Sequence, residues 1–127
     1  MAKRDIRIIV NDGAGKRWIS CEREHLNKND KVQWHCDTNH PFTIDFGWNT
    51  PLVSDIDNST KEKIKSNKKG GGVGFESDEM EINAQIAAGY PLKFKYTIAV
   101  YFPPPAGDND PLNGEVVMED PEIIIDP

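Results

Sequence analysis

Between Lys93 and Phe102 the chain alternates without a break. Phe94, Tyr96, Ile98, Val100 and Phe102 take one parity; Lys93, Lys95, Thr97, Ala99 and Tyr101 take the other. A period of two is that of a strand with one face against a core. Pro103, Pro104 and Pro105 follow, and proline cannot donate to a ladder, so the strand stops there. Whatever this chain folds into, it contains a well-defined β-strand with an aromatic and aliphatic face.

Other segments repeat the signal. Ile6, Ile8 and Val10 alternate with Arg7 and Ile9, and Asn11, Asp12 and Gly13 then supply a turn. A second strand is expected over residues 17–22. After the polar turn at 27–30, a third covers 31–36, with Val32, Trp34 and Cys36 on the inner face and Gln33 and His35 on the other. A fourth carries Phe42, Ile44 and Phe46 inward, with His40 at its entrance on the same parity. Further strands are expected over 81–86, 114–118 and 122–125. Residues 49–79 break the pattern: Pro51, Gly70, Gly71, Gly72 and Gly74 signal loops, and Asn58, Ser59 and Thr60 would cap a short helix over 61–67. The expectation is an all-β, Greek-key β-sandwich of seven to eight strands, with a long, mobile loop excursion at 49–79 that contains one short helix.

The length of 127 residues suits one domain over 1–127. With 28% charged and 37% apolar residues the balance is globular. A net charge of −6 works against general binding to nucleic acid, whose phosphates it would repel. No apolar run approaches the roughly 20 residues of a membrane helix, and no export signal is visible at Met1. The expected location is the cytoplasm, with no membrane partner and with Cys21 and Cys36 reduced.

Two blocks resemble the cupredoxins, the Greek-key sandwiches of the blue copper proteins. One is Asn29, Asp30, Lys31, Val32, Gln33 and Trp34, followed by His40, Pro41, Phe42, Thr43 and Ile44. The other is Phe94, Lys95, Tyr96, Thr97 and Ile98, followed by the stretch from Leu112 and Gly114 to Met118. The resemblance implies a copper site made of two imidazoles, a thiolate and a weak thioether. His40 stands where the first histidine would be. Ile98 stands at the cysteine position and Leu112 at the methionine position, and no histidine lies between them. The resemblance therefore implies the fold without a working copper site, and a colourless, redox-silent protein with no cofactor. The absent export signal is a second departure, because the family works mostly outside the cytoplasm.

The remaining candidates are weighed against plainer readings. Cys36, His35 and His40, with His25, would be the ligands of a non-standard copper site. Cys36 and His35 lie on opposite faces of one strand, which favours a packed thiol beside an exposed histidine instead. Lys61, Lys63, Lys65, Lys68 and Lys69 make a basic run that would touch a partner, but no aromatic residue interleaves it and no phosphate-loop spacing follows it. Asp108, Asn109 and Asp110 miss the calcium-loop spacing at Leu112. No nucleophile motif occurs. The expected function is a non-catalytic, structural or protein-interaction module whose partner is another protein. The alternatives are a metal protein centred on His40 and Cys36, and a sandwich that binds a small ligand.

Overall fold

The computed structural model describes residues 2–13, 16–83 and 92–126. Among these residues the regular structure is all strand, apart from two single 3-10 turns, Gly47–Asn49 and Pro111–Asn113. In chain order the strands are β1 (Lys3–Arg7), β2 (Ile9–Gly13), β3 (Lys16–Ser20), β4 (Glu24–Asn27), β5 (Lys31–Cys36), β6 (Phe42–Asp45) and β7 (Leu52–Ser54). They continue with β8 (Lys63–Lys68), β9 (Phe75–Ser77), β10 (Met80–Ile82), β11 (Leu92–Lys95), β12 (Thr97–Phe102), β13 (Glu115–Glu119) and β14 (Glu122–Asp126).

A nine-stranded sheet runs β13-β12-β6-β8-β9-β5-β10-β7, with β1 parallel to β5 on its free side. A three-stranded sheet, β11-β14-β4, pairs β14 with β4 in parallel. The hairpin β2-β3 stands separately. All three contribute to one buried cluster. Trp34 is fully buried, in edge contact with Tyr96 at 5.6 Å, and Phe46 stacks on Tyr96 at 4.6 Å. The Trp34 indole N–H donates to the Tyr96 hydroxyl at 3.2 Å, which satisfies the one polar atom that this ring brings into the core. Burial pushes the Tyr96 phenol above its ordinary pKa and keeps it protonated.

The alternating segments fold as expected. Val32, Trp34 and Cys36 face the core, as do Tyr96, Ile98, Val100 and Phe102. Several expected strands are interrupted. The strand over 93–102 divides at Tyr96, whose N–H turns aside to the Pro121 carbonyl at 3.1 Å. On the partner strand the break falls at Pro121, which has no N–H to give. Residues 84–86 of the strand expected over 81–86 lie outside the described residues, as do Ala14 and Gly15.

The excursion is corrected most. Residues 49–79 hold β7, β8 and β9, and the helix expected over 61–67 is instead strand β8. β8 pairs with β6 on one side and β9 on the other, and it carries Ile64, 5% exposed, into the core opposite Ile44. The supposed cap is a turn. Asp57 accepts from the Ser59 N–H at 3.0 Å and its hydroxyl at 2.6 Å, and Asn58 has φ +56°. The glycines form the β8–β9 connection. At Gly74, φ +111°, a Cβ would stand 2.6 Å from the Cys36 carbonyl oxygen, so only glycine fits.

Candidate functional site

His40 is 8% exposed at the entrance to β6. Its ring packs on Phe102, centroids 4.8 Å apart. The register explains the neighbour: Ile98 pairs with Ile44 and Val100 with Phe42, and the Tyr101 N–H donates to the Pro41 carbonyl at 2.9 Å. Two residues further along, Phe102 falls opposite His40. The position suggested for a thiolate, Ile98, lies four residues deeper and fully buried. Leu112 sits on the 3-10 turn at 87% exposure. Ile98 and Leu112 therefore do not fill one former centre beside His40.

A hydrogen-bonded chain passes through His40. Its Nε2 is 3.2 Å from Asp12 Oδ2 and its Nδ1 is 2.7 Å from Thr38 Oγ1. Thr38 Oγ1 is in turn 3.3 Å from Cys36 Sγ. In the neutral ring the directions are consistent: Cys36 S–H donates to Thr38, the Thr38 O–H to Nδ1, and Nε2–H to the carboxylate. Arg17 continues the chain, donating to Asp12 at 3.0 Å and to Glu115 at 3.0 Å, with its guanidinium over the Phe102 ring. A hydroxyl, an imidazole and a carboxylate in this order form the arrangement that activates nucleophiles. The cavity at this end, about 610 Å³, opens onto Asp12, Arg17 and Glu115 and is not lined by Thr38 or His40. The chain ties the β5–β6 connection to the β2–β3 hairpin. Asp12, Arg17 and Thr38 escape a sequence reading because nothing local links residue 12 to residue 40.

His35 lies on the opposite face of β5 from Cys36, as expected, but it is buried rather than exposed. Its side chain is covered by Asp5, 2.7 Å from Nε2, and Glu76, 3.7 Å from Nδ1. The hydrogen bond from His35 holds the Asp5 carboxyl below its ordinary pKa. His25, 101 residues away in sequence from its partner, meets Asp126 at 3.1 Å. Among the described residues no three His, Cys, Asp or Glu side chains converge where one ion could sit. Cys21 is free, 3.6 Å from the Tyr96 hydroxyl, and burial pushes its thiol above the ordinary pKa.

The five lysines do not act as one group. Lys69 donates to Asp37 at 2.8 Å, and Lys68 closes β8. Lys63 and Lys65 point away from the core, because Ile64 between them points in. They join an outward sheet face that the sequence does not flag. On that face Lys65 is opposite Thr43, Thr43 opposite Ala99, and Ala99 opposite Met118. In the next row Tyr101 is opposite Val116. Val116 is 59% and Met118 61% exposed. β3 lies against β13, joined by Arg17 to Glu115, and turns Trp18 outward while Ile19 enters the core. Ile9, across the hairpin, has the same outward parity and is 52% exposed. Val116, Val117 and Met118 are consecutive apolar residues, so the parity facing the core could be chosen only once Val100 was known to be the neighbour of Val117.

Neither a scan against protein-family models nor a search of curated proteins finds a match to this chain.

Proposed function

We propose that this chain is a non-catalytic protein-interaction module on a cupredoxin-like Greek-key sandwich. The fold assignment rests on the two parallel pairings, β1 with β5 and β4 with β14, and on β12 lying between β6 and β13. The function rests on one observation: Val116 and Met118 turn outward on β13, and Trp18 turns outward on β3, which lies against it. Large apolar side chains held on a water-facing strand are stabilised by being covered. A groove of about 270 Å³ in the same face, floored by Ala99 and bounded by Thr43, Lys65 and Tyr101, offers room for one side chain of a partner.

The experiment is a retention assay on material from the source cells. The wild-type chain is compared with the double variant Val116→Ser, Met118→Ser. A discrete partner held by the wild type and lost from the variant is expected, with the same Tm for both, because both side chains face solvent. Equal retention by the two proteins would remove this face as the binding surface.

A further inference from the structure

The chemistry of the partner follows from the charges around this face, and it rests on the reading of the face as a binding surface. The chain as a whole carries −6. Its outward sheet face differs. Lys63 and Lys65 on β8 line one margin. Beside them lie Thr43, Ala99, Tyr101, Val116 and Met118, none of which is charged. Asp45 is the acid of this face at its far end, 3.9 Å from Lys63, and Asp120 beside it accepts from the Thr97 hydroxyl. Lys65 has no ion pair with any described residue, and Lys63 has only the one with Asp45. Glu115 and Glu119 are on the other parity of β13, opposite Phe102 and Ile98, and Glu115 is already held by Arg17.

The groove sits where the two chemistries meet. Lys65 forms one wall, Tyr101 and Val116 the other, and Ala99 the floor. Gly114 keeps Tyr101 in place: a Cβ there would stand 2.8 Å from the ring carbons, so the tyrosine lies over the start of β13 and shapes the wall. An apolar side chain in this groove brings its neighbours in sequence within reach of Lys65 and Lys63. Carboxylates there would find the Lys65 ammonium and the exposed Lys63, whereas lysines would be repelled. A second copy of this chain is disfavoured, because a two-fold stacking of the face on itself brings lysine-lined margins together.

We infer that the face takes an acidic protein segment in which an apolar anchor side chain is flanked by aspartate or glutamate. The anchor enters the groove between Lys65 and Tyr101, and the carboxylates pair with Lys63 and Lys65.

The test uses the full chain and three capped peptides with the same Phe-Leu anchor, flanked by pairs of Asp, of Ser or of Lys, with amide chemical shifts read by NMR. The Asp peptide should move the amides of Thr43, Ala99 and Val116 and bind about tenfold more tightly than the Ser peptide, an advantage that shrinks as salt screens the pairs. The variant Lys63→Glu, Lys65→Glu should retain its Tm and prefer the Lys peptide. If the Ser peptide binds as tightly as the Asp peptide at this face, the acidic assignment fails while the binding surface stands. If none of the three moves these amides, the binding surface itself fails. The surface also fails as a protein site if the chain sediments with phosphatidylserine vesicles and ignores the peptides. Sedimentation as a dimer that Val116→Ser dissolves would replace the acidic partner with a second copy.

Discussion

Asp30 shows how one side chain can hold a turn and report on pH. It is 3% exposed at the end of the β4–β5 turn, next to Asn29 with φ +72°. Burial works against its charge, but the N–H groups of Asn27 (2.9 Å) and Ala2 (3.1 Å) and the Arg4 guanidinium (3.6 Å) outweigh it, and the carboxyl is held below its ordinary pKa. A group held low in the folded state stabilises above its unfolded pKa, about 3.9, and loses that contribution as pH falls through the folded value. Asp30→Asn, which replaces one of the two acceptor oxygens by an amide NH2 facing an N–H and removes the charge beside Arg4, should cost about 1–3 kcal/mol at pH 7. In urea melts from pH 7 to pH 2 the variant should lose less stability than the wild type below pH 4; parallel curves would mean that Asp30 does not carry the acid sensitivity. At this scale the sequence was partly legible. The parity of residues 31–36 correctly separates Cys36 from His35. It cannot report that Asp5 and Glu76, on neighbouring strands, bury the histidine.

Among the elements, β8 is the informative failure. Residues 63–68 contain a single apolar residue, Ile64, and one apolar residue has no period. The lysines around it and the Asn-Ser-Thr group before it read as a capped polar helix. Strand identity is imposed here from both sides: Thr43, Ile44 and Asp45 supply one ladder and Phe75, Glu76 and Ser77 the other. By contrast, β5 and β12 each carry their own face in three alternating apolar positions, Val32, Trp34 and Cys36 in one and Ile98, Val100 and Phe102 in the other, and need no neighbour to be recognised. The loose-excursion reading would allow residues 59–72 to be replaced by a short glycine-serine link without loss. With β8 between β6 and β9 the opposite is expected: the shortened chain should lose its cooperative urea transition. The milder Ile64→Ala should cost about 2–5 kcal/mol, since it opens a cavity opposite Ile44. A loss below about 1 kcal/mol would mean that Ile64 packs loosely and that β8 contributes only its backbone.

Across the whole molecule the pairings that matter join distant parts of the chain, and no local pattern records them. β1 lies parallel to β5, and β14 lies parallel to β4. Alternation identifies strands but not their neighbours, and register decides the rest: aligning by pattern puts Ile98 beside His40, whereas the ladder puts Phe102 there. The C-terminal strand tests this long-range organisation. β14 pairs with β11 on one side and β4 on the other, and it buries Ile123 and Ile125 completely. Burying an isoleucine is worth about 1.5–3 kcal/mol, so the two side chains together, about 3–6 kcal/mol, compare with the lower end of the roughly 5–15 kcal/mol that stabilises an ordinary domain, before either ladder is counted. A chain ending at Asp120 should therefore show no near-ultraviolet circular dichroism and no cooperative melt. Ile124→Thr, a partly exposed residue of the opposite parity on the same strand, should shift the urea midpoint only slightly, because β-branched threonine keeps the strand and leaves the core filled. A truncated chain that still melts cooperatively would place the folding core in the nine-stranded sheet alone and reduce β4, β11 and β14 to an appendage.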